Sequence, residues 1–420
     1  MLALGACGAA AIVAFLMIAI GDHRLGSPAF LGWTAVAVAA YGAALVLVWR
    51  TPQPRRALLL AGLLALAMRV PMTVAPVGAG SDMLRYVWDA RAQRAGVSPY
   101  EAIPSRPEFA HLHTPETRQM NNRNIPSPYP PGAQVFFRLV TAIHESTMAL
   151  KIALVACDLA VAAILVAWLR GLGRNPLWMI AYAWNPLVVL ETAYSGHLDA
   201  AGALAVTAAA FALSRGRPAL SVAALSAGIA IKFLPIVLVP LYWKRARVWH
   251  GALAAGFLIA LYLPFADIAS GTLPLGSVSN MIRGFRFNGP AFQALEFLAD
   301  PWRAAMAGVA FGGLVAVAMR RRLPASEPAA WAWPMAAALV CSPVVYPWYL
   351  VWLTPFFISA LAAPLVLWSV LILPVYVVWH GLLSEGIWAV PTPLLVLEYA
   401  GLASAIAWLL AWRARARRPA

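Results

Sequence analysis

Ionisable side chains concentrate in the stretch GSDMLRYVWDARAQRAGVSPY, Gly80 to Tyr100, where a long apolar run ends. Read as a helix starting near Ser81, it sets Asp82, Arg85, Asp89 and Gln93 on one polar stripe, with Leu84, Val87, Trp88 and Ala95 opposite. That pattern predicts an amphipathic helix in a membrane interface, apolar side in lipid and acids toward protein or water. The helix dipole favours an ionised carboxylate at the first position. Such a group can take up a proton from a reacting hydroxyl. Taken alone, Asp82 is better read as a helix cap that pairs with Arg85.

Other groups with chemistry to offer follow along the chain. Glu191 lies near the end of an apolar segment, and GHLD places His197 and Asp199 at the start of the next helix. An H-x-D pair can ligate a metal, but two ligands are too few to argue one, and Asp199 also suits a helix cap. His111 and His113 form an H-x-H with the same limitation. No D-x-D occurs, so nothing in the sequence demands a divalent cation or any other cofactor. Lys232 interrupts an apolar stretch, and a charge at membrane depth costs about 2.5–3.5 kcal/mol and usually serves function; if the hairpin stays near the inner leaflet, it is structural instead. Arg283 and Arg286, in MIRGFRFNGP beside Asn288, offer cationic groups in a loop that can also simply touch lipid headgroups. Tyr346, Trp348 and Tyr349 can stack on ring faces or belong to an interfacial aromatic belt.

The elements that must position these residues are membrane helices. The chain is 62% hydrophobic and 11% charged with a mean hydropathy of +0.75, whereas soluble domains carry roughly 25% charged residues. The net charge of +15 sits in short clusters between apolar runs: Arg50, Arg55 and Arg56; Arg170 and Arg174; Arg215 and Arg217; Lys244, Arg245 and Arg247; Arg320 to Arg322; Arg413 to Arg418. That is the positive-inside pattern, not the continuous basic face that nucleic acid requires. Cys7, Cys157 and Cys341 show no paired spacing.

With the clusters inside, residues 1–420 read as a single all-α integral membrane domain of about 12 crossings. Spans fall near 1–20, 30–49, 57–77, 149–169, 177–194, 198–213, 248–266, 302–319, 330–345, 348–361, 364–380 and 392–412. Segments 78–147 and 267–301 become external loops, long enough to mark them for function. Residues 218–243 separate two basic clusters, which a re-entrant hairpin turning near Lys232 and Pro235 reconciles; a true span with one cluster outside is the alternative. Asp158 and Arg69, inside spans, are expected to pair with neighbours.

In order along the chain stand Ser81-Asp82, Arg85-Tyr86, Trp88-Asp89, Arg91, Gly96 through Pro99-Tyr100, and Tyr129-Pro130-Pro131-Gly132. Trp184-Asn185-Pro186-Leu187, Glu191, Gly196-His197-Leu198-Asp199, Lys232-Phe233-Leu234-Pro235, Phe287-Asn288 and Pro347-Trp348-Tyr349 follow. The series resembles the GT-C superfamily of membrane glycosyltransferases, and within it bacterial polyprenol-phosphate-mannose-dependent mannosyltransferases. It departs at Ala90, where the family often has Gly, at Ser98, where it has Asn, and at Tyr346, where it has His. The resemblance implies a multi-pass protein of the bacterial inner membrane acting on the periplasmic side. It also implies a polyprenyl-phosphate-sugar donor, a lipid or glycan acceptor, and Asp82 as catalytic base.

The chemistry is coherent: phosphate leaves readily, so one carboxylate suffices for inverting transfer, whereas glycoside hydrolysis needs two. The departing phosphate needs positive charge, for which Arg85, Lys232, Arg283 and Arg286 are candidates. Asp89, Tyr100, Glu191, His197, Asp199, Asn288, Trp348 and Tyr349 complete the candidate binding set. A flippase of lipid-linked sugars is the alternative, but it would gather polar residues near the bilayer midplane rather than at helix ends.

Overall fold

The computed structural model describes residues 1–21, 24–50, 56–266 and 275–416. Among them the protein is all-helical, apart from an isolated bridge between Phe287 and Val344. The helices are α1 (Leu2–Ile20), α2 (Pro28–Arg50), α3 (Arg56–Val74), α4 (Asp82–Arg94), α5 (Pro131–Ile143), α6 (Thr147–Gly171), α7 (Asp199–Ser214) and α8 (Pro218–Ile231). After these come α9 (Val248–Tyr262), α10 (Val278–Gly284), α11 (Pro290–Glu296), α12 (Pro301–Arg322), α13 (Ala329–Val340), α14 (Ala363–Leu371), α15 (Val377–Glu385) and α16 (Thr392–Ala416). Eight helical stretches among the described residues are long and apolar enough to cross a bilayer: Leu2–Ile20, Pro28–Arg50, Arg56–Val74, Thr147–Gly171, Val248–Phe265, Pro301–Arg322, Ala360–Glu385 and Thr392–Arg415. The chain is therefore a polytopic all-α membrane protein.

The count differs from the twelve crossings the hydropathy suggests: the expected spans near 198–213 and 330–345 form the shorter helices Asp199–Ser214 and Ala329–Val340, and proline interrupts two others. Expected spans near 177–194 and 348–361 break into short 3-10, α and π turns, with Pro176, Pro186, Pro347 and Pro355 opening the pieces. Proline removes an N–H and clashes with the preceding turn, so the ladder cannot run through. Such backbone survives at membrane depth only when enclosed by protein. Here residues 179–193 are buried throughout, and Asn185 donates to Ser369 Oγ at 2.9 Å while its Oδ1 accepts from Leu187 N at 3.0 Å. Arg69 and Asp158 do pair, with each other: Nε to Oδ2 is 2.5 Å and both side chains are buried.

Residues 218–243 double back on themselves. α8 lies against α7, and the 3-10 run Leu234–Tyr242 returns until the Tyr242 hydroxyl meets Ser221 Oγ at 2.6 Å. The two ends of the segment thus lie together, with Lys232 at the far tip. Arg245 donates to Leu323 O and Arg320 to Trp243 O, so these basic clusters share one end of the bundle.

One expectation needs correcting. α4 does not lay its apolar side in lipid; residues 83–90 are all buried. Leu84, Trp88 and Ala92 pack under Ala102, Leu112 and Met120 of the same 78–147 segment, while Met83, Tyr86, Val87 and Ala90 face α5, α6 and Leu198–Ala201. Of the segment 267–301, the part before residue 275 lies outside the described residues. The remainder docks through Ser277 N on Ser127 O and through the Phe287–Val344 bridge.

Candidate active site

Ser81 caps α4 by accepting from Met83 N at 3.3 Å, which fixes Asp82 as the first helical residue. Asp82 Oδ1 accepts from Asn121 Nδ2 at 2.8 Å and Oδ2 from the Tyr129 hydroxyl at 3.0 Å. Burial, and then the charge of Asp82, pushes the Tyr129 phenol well above its ordinary range, so it stays protonated and donates. The Asp82 side chain keeps 22% of its surface accessible. It is oriented but still reachable.

Opposite it, a π turn at Leu190–Tyr194 and a sharp bend at Gly196 bring up the next groups. Gly196 has φ +67°, and a Cβ there would sit 2.2 Å from Met83 Sδ of α4. Only glycine allows this close approach without strain. The bend aims His197 Nε2 at Asp82 Oδ2, 3.9 Å away, while Nδ1 contacts Glu191 Oε2 at 2.5 Å. The His197 ring stacks on Trp348 with centroids 4.0 Å apart and planes 10° apart, and Tyr346 stacks on the other Trp348 face at 4.3 Å. Burial opposes charging His197, but Glu191, Asp82 and Asp199 outweigh it, and its pKa is raised.

From the hairpin tip, Lys232 Nζ reaches Asp199 Oδ1 at 2.7 Å and lies 3.9 Å from the centre of the Tyr349 ring. Trp352 Nε1 donates to the same Asp199 oxygen at 2.6 Å. Gly202 makes room for this indole; a Cβ there would overlap it at 2.0 Å.

These groups border a cavity of about 390 Å³. Its lining combines polar side chains, Asp82, Arg85, Asn121, Tyr129, Asp199 and Lys232, with apolar ones, Leu234, Val237, Met281, Phe285, Val309 and Leu339, from the hairpin, α10, α12 and α13 and the turn after α10. Arg85 Nε holds Asp89 at 2.7 Å and Nη1 the Ile125 carbonyl at 3.1 Å, leaving the buried Nη2 without a partner.

Of the residues singled out in the sequence, Asp82, Arg85, Asp199, Lys232, Tyr346, Trp348 and Tyr349 line this cavity. His197 stands behind Asp82, and Glu191 behind His197. The remaining candidates for binding lie outside the lining. Asp89 is buried between Arg85, Ser127 and Gln134, and the Tyr100 hydroxyl donates to Tyr129 O. Arg286 pairs with Glu296, Arg283 is exposed, and Asn288 donates to Glu398 and Val345 O. His113 is taken up by Pro104 O and Thr117. Asn121 and Trp352 are site residues that the sequence does not reveal. They approach Asp82 and Asp199 from 39 and 153 positions away, with no periodicity to signal it.

Fold and site together define a polytopic helical membrane protein with a carboxylate-bearing cavity whose lining mixes polar and apolar side chains. A family model described as alpha-(1->6)-mannopyranosyltransferase, N-terminal domain (MptA_B family) matches residues 1–246, more than half of the chain, and the chain belongs to that family. It is a membrane glycosyltransferase of the mannosyltransferase kind. The matched span includes Asp82, Tyr129, Glu191, His197, Asp199 and Lys232. Neither a curated protein nor a solved structure matches the chain.

Proposed function

We propose that this protein transfers mannose from a polyprenyl-phosphate carrier to an acceptor hydroxyl on the external face of the bacterial inner membrane, with inversion and with Asp82 as general base. One observation carries the reading. Asp82 is held by two donors, Asn121 and Tyr129, in the lining of a cavity that also carries many apolar side chains. A polyprenyl chain suits the apolar part of that lining, and its phosphate suits Lys232, with Arg85 in the same lining.

In this mechanism Asp82 takes the proton from the acceptor hydroxyl as its oxygen attacks C1 of the sugar. The C1–O bond to phosphate breaks, and its electron pair leaves with the phosphate, which Lys232 and Arg85 stabilise. One displacement on a β-linked donor gives an α-linked product, the linkage named in the family description. An external site explains the carrier, since nucleotide sugars are confined to the cytoplasm.

The test is transfer from synthetic polyprenyl-phosphate-mannose by purified protein, with membrane lipid extract as acceptor, beside Asp82→Asn. The variant should fold normally by thermal unfolding in detergent and lose about 10²–10⁴-fold in rate, the usual contribution of a positioned base. Equal rates for the two proteins would remove Asp82 from the mechanism.

A further inference from the structure

Three carboxylates surround one imidazole. Glu191 comes from the π turn, Asp82 from α4 and Asp199 from the start of α7, all against His197 in the Gly196 bend. Asp199 is already matched by Lys232 at 2.7 Å. Asp82 and Glu191 therefore face each other across His197. Were the imidazole neutral with its hydrogen on Nδ1, toward Glu191, its Nε2 lone pair would point at the Asp82 oxygens, acceptor against acceptor. With both nitrogens protonated, each faces a carboxylate.

Resting on the reading of Asp82 as base, we propose that His197 is a positioning residue. As an imidazolium gripped by Glu191 and stacked on Trp348, it holds the Asp82 carboxylate in its reactive orientation and sets an upper pH limit on sugar transfer. At 3.9 Å the contact with Asp82 is electrostatic rather than a hydrogen bond, so it orients the carboxylate without occupying the lone pair that receives the proton. The Trp348 stack fixes the ring plane, and Glu191 fixes its rotation about the stack. Tyr86, whose hydroxyl accepts from Leu198 N, and Tyr129 border the same space. Phenols kept protonated by burial add no charge there.

The sign follows from the raised pKa. The imidazolium is present below that value and is lost as pH rises through it. Transfer by the wild type should therefore fall on the alkaline side. Glu191→Gln removes the largest stabiliser of the cation and should move that limb to lower pH. His197→Gln should abolish the limb and lower kcat/KM about 10²-fold at neutral pH, the scale of a misplaced catalytic group.

Profiles of kcat/KM against pH for wild type, Glu191→Gln and His197→Gln, with mannosyl transfer as readout, decide the matter. A structural role alone would scale the curves without moving the limb. An unshifted limb in Glu191→Gln overturns the proposal, and so does a wild-type profile flat to high pH, which needs no variant to fold. Asp82→Asn separates the two readings. If it is silent while the limb stays fixed, His197 loses its role and the base assignment stands; if it is active, the base assignment fails first.

Discussion

At the scale of single residues, Lys232 is the instructive case, because it has a partner and a cavity to serve. Its ammonium bonds Asp199 but remains 26% exposed toward the cavity, while Asp199 is buried. Hydrogen bonds to charged groups contribute about 1.5–3 kcal/mol, so losing one to a donor phosphate should raise KM at least tenfold. Lys232→Met is expected to do that with a smaller change in kcat, measured by varying donor concentration. The double variant Lys232→Met/Asp199→Asn separates the alternatives. If Lys232 serves only to neutralise Asp199, removing both charges restores KM; if it binds the donor, KM stays high. Lys232 was legible in the sequence because a charge in an apolar stretch is costly. Its partner was not, since nothing local links positions 199 and 232.

At the scale of elements, close approach between helices sets the cavity's shape. Gly132, at the second position of α5, lies so near α8 that a Cβ would fall 2.6 Å from the Ala230 Cβ and 2.7 Å from its backbone. Backbone cannot swing aside, so Gly132→Ala must push α5 away from the hairpin tip that carries Lys232. Overpacking of this kind costs about 1–3 kcal/mol, and thermal unfolding in detergent should show a lowered midpoint together with reduced transfer. Gly62 has open space around it, and Gly62→Ala should leave both unchanged. The same scale shows where sequence reading falls short. The alternation along α4 identifies which side is apolar, but a hydrophobic pattern cannot say whether lipid or protein covers it. In this fold Leu112 and Met120 cover it. Likewise, the apolar runs near 177–194 and 348–361 are long enough to be read as spans. The prolines within them, visible in the sequence, are what break them into buried turns that carry Glu191, Trp348 and Trp352. The charge pattern left 218–243 open between a hairpin and a full span, and the contact of Tyr242 with Ser221 shows that it doubles back.

At the scale of the whole molecule, the hairpin holds its basic ends, Arg217 and Arg247, away from the cavity at its tip. α8 rises about 1.5 Å per residue over 14 residues, so Lys232 stands roughly 20 Å from the Arg217 end, and the return run brings Tyr242 back to Ser221. The proposed function requires the Arg217 and Arg247 end to face the cytoplasm and the Asp82 end the outside, the arrangement that the positive-inside rule favours. This orientation can be measured directly. With Cys7, Cys157 and Cys341 replaced, single cysteines at Glu108, Arg217 and Arg247, all exposed, report on three points of the chain. A membrane-impermeant maleimide added to intact spheroplasts should label Glu108→Cys, and should reach Arg217→Cys and Arg247→Cys only in inverted vesicles. Opposite labelling of Arg217→Cys and Arg247→Cys would mean that 218–243 crosses the bilayer and that Lys232 cannot sit beside Asp199. Labelling of Glu108→Cys from the cytoplasmic side would place Asp82 where nucleotide sugars are available, and the case for a lipid-linked donor would fall with it.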